Sequence, residues 1–158
     1  MTIKVGDKIP AATLNIMGEK GPAAITTSEI FDGKKVAFFA VPGAFTPGCS
    51  MTHLPGFIIY ADKIKAKGVD SIVCIAVNDA FVMDAWKKSQ NAEEIDFIAD
   101  GSGTFTNLIG MELDVSGYGM GKRSKRYAMI VDNGVVKYLG VDEKGVEKSA
   151  AEAVLENL

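Results

Sequence analysis

Two stretches of the chain, "KKVAFFAV" at 34–41 and "SIVCIAV" at 71–77, are short and nearly unbroken apolar runs rich in Val, Ile and Phe. Continuous β-branched and aromatic residues over so few positions predict strands buried on both faces, and such strands are usually parallel. Between them Leu54, Ile58, Ala61 and Ile64 or Lys65 recur at helical spacing, and the run closes on Lys67 and the terminator Gly68. The spacing predicts a helix over 49–67, bent or delayed in its regular part by Pro55, which has no N–H for the helix ladder. "NDAFVMDAWKKSQN", 78–91, opens on the capping candidates Asn78 and Asp79 and spaces Val82, Ala85 and Trp86 on one face, which predicts a second helix. "DFIAD" follows as a short third strand, and "NAEEIDF" marks the turn into it. "YAMIVDNGVVKYLG", 127–140, joins two β-rich runs around Asn133 and Gly134 and predicts a hairpin. "SAAEAVLENL" reads as a closing helix with Ser149 and Glu152 in capping-box spacing.

The order strand, helix, strand, helix, hairpin, helix, with an inserted strand and short helix, is that of a thioredoxin-like fold. The class predicted is α/β, a central mixed sheet flanked by helices on both faces, with a right-handed crossover setting 36–41 beside 71–77. At 158 residues, with no repeat and no long linker, the expectation is a single domain over 1–158. A net charge of −3 offers no general attraction to nucleic acid or anionic lipid. The start "MTIKVGDKIP" lacks the apolar core of a leader and no run is long enough for a membrane span, so neither a nucleic acid nor a membrane is an expected partner. Two cysteines form no CxxC, no disulfide framework and no zinc set, which makes a reducing compartment, the cytoplasm, the expected location and implies no metal.

One of those cysteines, Cys49, stands in "VPGAFTPGCSMTHLPGF", between the end of the first apolar run and the start of the first helix. Reactive groups of open α/β sheets gather beyond the carboxyl ends of strands, and free N–H groups and the helix dipole stabilise a thiolate there. Thr46 carries a hydroxyl able to accept from the thiol and donate to an incoming oxygen, while Pro42 and Pro47 stiffen the loop and shield the sulfur.

Pro42, Thr46 and Cys49 in "PGAFTPGC" match the Pro-x-x-x-Thr-x-x-Cys signature of peroxiredoxins. "PGAFTPGCSMTHLPGF", "VNDAFV" with Trp86 after it, and "KRYAMIVDNG" together resemble the type II, or peroxiredoxin-five, group, from "IKVGDKIPA" to the hairpin near residue 140. The resemblance implies reduction of hydrogen peroxide and alkyl hydroperoxides through Cys49, assisted by Thr46 and by an Arg that falls on Arg126, with Arg123 as the alternative if the loop is shifted. It implies no cofactor, and it suggests a homodimer. Some members of the group resolve the sulfenic acid with a further cysteine near the C-terminus; "DEKGVEKSAAEAVLENL" has none, which points to glutaredoxin, glutathione or thioredoxin as external reductant.

The remaining candidates read as structural. Cys74 lies in the middle of "SIVCIAV", where an apolar strand keeps a thiol protonated and inert. His53, four residues after Cys49, invites a Cys/His pair, yet no third orienting group is visible and a His bonded to nearby backbone is the expectation. "GYGMGKRSKRY" fails as a phosphate loop, since its glycines are too close and Lys122 precedes Arg, and reads as a solvated turn. Two other functions stay in view: a thiol-disulfide oxidoreductase, which normally needs a second nearby cysteine, and a peroxide-sensing redox signalling protein that reacts once and stops.

Overall fold

The computed structural model describes residues 2–158. Its first elements lie in a stretch where the sequence pattern predicts no strand: β1 (Thr13–Gly18) and β2 (Gly21–Thr26) form an antiparallel hairpin that leads into the short helix α1 (Thr27–Phe31). The two apolar runs become β3 (Lys35–Ala40) and β4 (Ser71–Ala76), parallel neighbours with Phe39 opposite Cys74. Between them a π-helical turn, Cys49–His53, passes into α2 (Leu54–Ala66). Proline at the first turn of α2 explains that order, because Pro55 cannot donate into an α ladder begun at Cys49. The helix stops at Lys67 and Gly68, whose φ of +93° suits a residue without a Cβ.

Helix α3 (Ala80–Ser89) begins at Asp79, whose carboxylate accepts from the Val82 N–H at 2.8 Å. Then follow β5 (Asp96–Ala99), α4 (Thr104–Leu108), a small ribbon of β6 (Glu112–Asp114) and β7 (Lys122–Ser124), the hairpin β8 (Arg126–Asp132) and β9 (Val135–Asp142), and α5 (Ala151–Glu156). The main sheet has seven strands in the order β2-β1-β5-β4-β3-β8-β9. Its parallel centre, β5-β4-β3, is bordered by an antiparallel hairpin on each side.

Strand residues alternate between two buried layers. Ala37, Phe39, Ile72, Cys74, Ala128 and Ile130 face α2, α3 and α5. Val36, Phe38, Val73, Ile75, Tyr127 and Met129 face α1 and α4. Burying an aromatic or branched side chain of this kind stabilises by about 1.5–3 kcal/mol, so the strands read as continuous apolar runs because each face has its own core. Two helical faces differ from the spacing expected. In α2 Phe57 is the fully buried residue, stacked on Phe39 with ring centroids 3.9 Å apart, while the expected Ile58 packs against the core half-buried. In α3 the buried residues are Ala80, Met83 and Trp86, while Ala85 is exposed. The expected capping box is absent: Ala150 caps α5, and the Ser149 hydroxyl donates instead to Asp142 at 2.6 Å. The basic run expected as a solvated turn includes β7, paired to β6.

The β8–β9 turn uses Asn133 and Gly134 at φ +47° and +80°, and Asn133 also accepts from the Gly33 N–H at 2.7 Å. Gly134→Ala forces a Cβ into the left-handed region and is expected to cost about 1–2 kcal/mol. Urea unfolding checks this, and an unchanged midpoint would contradict it.

Candidate active site

The loop 41–48 leaves the carboxyl end of β3 and enters the π turn at Cys49. Its course is set by buried polar bonds. The Asn78 side chain, from the neighbouring β4–α3 connection, accepts from the Ala44 N–H at 2.9 Å. Phe45 then takes a φ of +67°, a conformation costing of order 1–3 kcal/mol for a bulky residue and held by its surroundings. One residue later the Thr46 hydroxyl donates to the Gly43 carbonyl at 2.8 Å, and the Thr46 carbonyl accepts from Ser50 N–H at 2.9 Å. Thr46 therefore departs from the expected donor role toward a ligand: its proton is committed to Gly43, and only its oxygen lone pairs are left to accept. Ser50 is fixed from the other side by the indole N–H of the fully buried Trp86, at 3.0 Å.

Arg126 reaches this turn by strand register. β8 runs antiparallel to β3 with Tyr127 opposite Ala40, so the residue before Tyr127 lies at the end of β3 from which the loop departs. One guanidinium nitrogen, Nη2, donates to Cys49 Sγ at 3.2 Å, and the other, Nη1, donates to His53 Nδ1 at 2.8 Å. The alternative, Arg123, points elsewhere: its Nε donates to the Met120 carbonyl at 3.1 Å and its Nη1 to the Pro42 carbonyl at 3.5 Å. Cys49 and Arg126 are thus brought together, Thr46 stands in the same loop with its hydroxyl on Gly43, and Pro42 takes a contact from Arg123. Both arginines crowd glycines of the loop. A Cβ at Gly48 would lie 3.2 Å from Arg126, and one at Gly43 would lie 2.9 Å from Arg123.

His53 is buried, and its ring is read from both ends. Nε2 lies 2.8 Å from the Ser149 carbonyl, which only accepts, so Nε2 carries the proton. Nδ1 is then the acceptor that Arg126 requires. Burial and the adjacent guanidinium push His53 down to about 3, which keeps the ring neutral. The expected backbone bond is present, and the ring's second partner is the arginine, a pairing that no local spacing exposes because 73 residues separate the two. Among the described residues the side-chain ion pairs are Lys4–Asp7 and Lys88–Asp84, so no carboxylate lies within ion-pair distance of Arg126, although Asp142 is its cross-strand neighbour.

Cys74 is wholly enclosed in β4, and burial, with the Cys49 sulfur as a further cause, pushes its thiol well up. The contributions of Asn78, Trp86 and Ser149 were not legible in sequence. Each acts through a hydrogen bond across elements, and Asn78 was visible only as a capping candidate.

This arrangement has known counterparts. The Redoxin family model matches residues 4–155. Peroxiredoxin-2D of Arabidopsis thaliana is 46% identical, with 99% of this chain and 98% of that protein covered. The crystal structure of reduced Prx3 in complex with hydrogen peroxide from Vibrio vulnificus superposes with a TM-score of 0.95 at 53% identity, covering 98% of both chains. Peroxiredoxin 5 from Alvinella pompejana gives a TM-score of 0.87 at 36% identity, covering 98% of this chain and 97% of that one. A buried cysteine under an arginine at the head of a helix, on a thioredoxin-like sheet with these relatives along its whole length, places the chain in the Redoxin family as a peroxiredoxin, a thiol-dependent peroxidase.

Proposed function

We propose that Cys49 is the peroxidatic nucleophile, and the observation that carries this is the 3.2 Å contact between Arg126 Nη2 and its sulfur. The Cys49 thiolate attacks one oxygen of ROOH, the S–O bond forms as the O–O bond breaks, and the second oxygen leaves as RO⁻ to be protonated. Sulfur is oxidised to sulfenic acid and the peroxide is reduced to alcohol or water. Negative charge spreads from sulfur over both oxygens, and an always-charged guanidinium fixed beside the sulfur meets it without reorganisation. Thr46 Oγ1, with its proton on Gly43, accepts from the peroxide O–H and so orients it. Pro42, with its fixed φ, shields the sulfur from water.

An external thiol completes the cycle. It attacks the sulfenic sulfur with loss of water, and a second thiol reduces the mixed disulfide. Glutathione with glutaredoxin, or thioredoxin, is the proposed reductant, supported by the enclosure of Cys74 inside a core strand. A homodimer is proposed from the apolar Phe45, Met51 and Phe81, left exposed at the sheet end that carries Cys49. The proposed location is the cytoplasm, where such reductants keep thiols reduced, and the −3 charge supports no nucleic-acid or membrane partner.

Peroxide consumption with excess reductant tests the assignment. Cys49→Ser is expected to abolish turnover and Cys74→Ser to keep it, whereas turnover surviving in Cys49→Ser would remove the nucleophile. A protein that consumes one peroxide per Cys49 and stops is a sensor and not a peroxidase. Arg126→Met is expected to slow the reaction about a hundredfold or more, the usual loss for one such donor. A normal Arg126→Met beside a slow Arg123→Met would reassign the role.

His53 generates a separate expectation for stability. Its folded value of about 3 lies below the ordinary 6.5, so between these pH values the unfolded chain binds a proton that the folded chain refuses. Stability therefore rises with pH across that window, by up to about 1.4 kcal/mol per unit. His53 is the only histidine of the chain, and above pH about 5.5, where ordinary carboxylates are largely ionised, it dominates the slope. Denaturant titrations between pH about 5.5 and 6.5 should show the slope in the wild type and lose it in His53→Gln.

A further inference from the structure

The Ser149 carbonyl that fixes His53 belongs to no helix or strand, yet the segment around it is held from three directions. The Asp142 carboxylate, at the end of β9, accepts four hydrogen bonds: from the N–H groups of Glu147, Lys148 and Ser149 at 2.9, 3.1 and 2.8 Å, and from the Ser149 hydroxyl at 2.6 Å. The Tyr138 hydroxyl donates to the Lys148 carbonyl at 2.6 Å. Between these two residues on β9, Gly140 leaves the space that the Lys148 carbonyl occupies. A Cβ there would collide with that carbonyl and with the Tyr138 hydroxyl. Burial opposes ionisation of Asp142, but the hydrogen bonds from Ser149, Glu147 and Lys148 outweigh it and hold the carboxyl down at about 2, so the anchor is ionised at neutral pH.

We infer that Tyr138, Gly140 and Asp142 are positioning residues for peroxide reduction: they brace Lys148 and Ser149, Ser149 selects the His53 tautomer, and His53 aims Arg126 at the Cys49 sulfur. From Ser149 onward each link is a single directed bond. Ser149 offers only a carbonyl to His53 Nε2, which forces the proton there, and the bare Nδ1 is what turns Nη1 away and leaves Nη2 for sulfur. If the Ser149 carbonyl withdraws, Nε2 loses its acceptor, the proton is free to move to Nδ1, and that nitrogen then opposes the guanidinium. The peroxidatic centre thus depends on the Ser149 carbonyl, a hundred residues downstream of Cys49. Asp142, which holds Ser149, stands opposite Arg126 in the β8–β9 register, so the tautomer of His53 is the readout that separates the brace from a direct effect of Asp142 on Arg126. The inference rests on the role proposed above for Arg126, and the experiment separates the two.

Tyr138→Phe, Gly140→Ala and Asp142→Asn form a graded set, with Asp7→Asn, another hydrogen-bonded carboxylate, as control. Circular dichroism verifies folding; should Gly140→Ala fail to fold, the other two carry the test. The rate of Cys49 with hydrogen peroxide is followed through the single tryptophan, Trp86, which is bonded to Ser50 beside the sulfur. Asp142→Asn and Gly140→Ala are expected to slow this reaction about 10- to 100-fold, the scale of a small misplacement at a reacting centre. Tyr138→Phe should slow it less, and Asp7→Asn not at all. Alkylation by iodoacetamide, which develops no charge on a leaving oxygen, should change less. Nitrogen-15 spectra of the single histidine should show the Nε2–H tautomer in the wild type and a mixture in the slow variants. In an Arg126→Met background the brace substitutions should cost nothing further. Folded variants with wild-type peroxide rates, slow variants that keep the pure Nε2–H tautomer, or full additivity with a slow Arg126→Met would each overturn the brace alone. An Arg126→Met enzyme that reacts normally would overturn the role of Arg126, and the brace with it.

Discussion

The site depends on one register. Because β8 lies antiparallel on β3 with Tyr127 opposite Ala40, a guanidinium anchored on one strand arrives at the loop that leaves the other. A shift by one residue would turn Arg126 to the opposite face of the sheet, since side chains alternate along a strand. The same pairing buries Phe38 and Phe39 on opposite faces, so the aromatic packing that stabilises the sheet also fixes where the charge stands. Stability and chemistry therefore share a constraint, and the register is defended by both cores.

Around that contact the protein manages a half-buried charge. Burying a cation without a partner is costly. Arg126 is given two acceptors that are not carboxylates, a sulfur and a neutral imidazole nitrogen. A carboxylate in place of the imidazole would compete for the guanidinium charge that a developing oxyanion needs. The neutral ring orients Arg126 and leaves its charge available, and burial is what keeps the ring neutral. The strained Phe45 and the committed Thr46 proton belong to the same economy: bonds from Asn78, Gly43 and Trp86 hold a loop geometry that the loop's own sequence would not choose.

The two cysteines show how place decides chemistry. Cys49 and Cys74 face the same core layer, and both are inaccessible to solvent. Cys49 lies at the head of a helical segment with an arginine on its sulfur, whereas Cys74 is enclosed among aliphatic and aromatic side chains, and burial favours its protonated form.

What the sequence by itself determined is whatever local patterns encode. The apolar runs of β3 and β4 declared buried strands, Asp79 its cap, Asn133 and Gly134 their turn, and "PGAFTPGC" the nucleophile loop with its family. The β1–β2 hairpin escaped because its residues bury little: along β2 the central positions are exposed, so no alternation of apolar residues announces a strand. Phe57 joined Ile58 on the inner side of α2 because positions three and four after Leu54 both fall on its face, and the larger ring took the deeper place, stacked on Phe39. Ser149 and Glu152 had the spacing of a capping box, but the Asp142 carboxylate took the Ser149 hydroxyl first. The family resemblance put the arginine on Arg126 with Arg123 in reserve, and tertiary structure chose between them; it alone decided that His53 is the partner of Arg126 and that Ser149 sets the ring. Those three facts join residues 73 to 96 positions apart. Local preference acts over a few residues, and only the packed sheet brings such distant groups within hydrogen-bond reach.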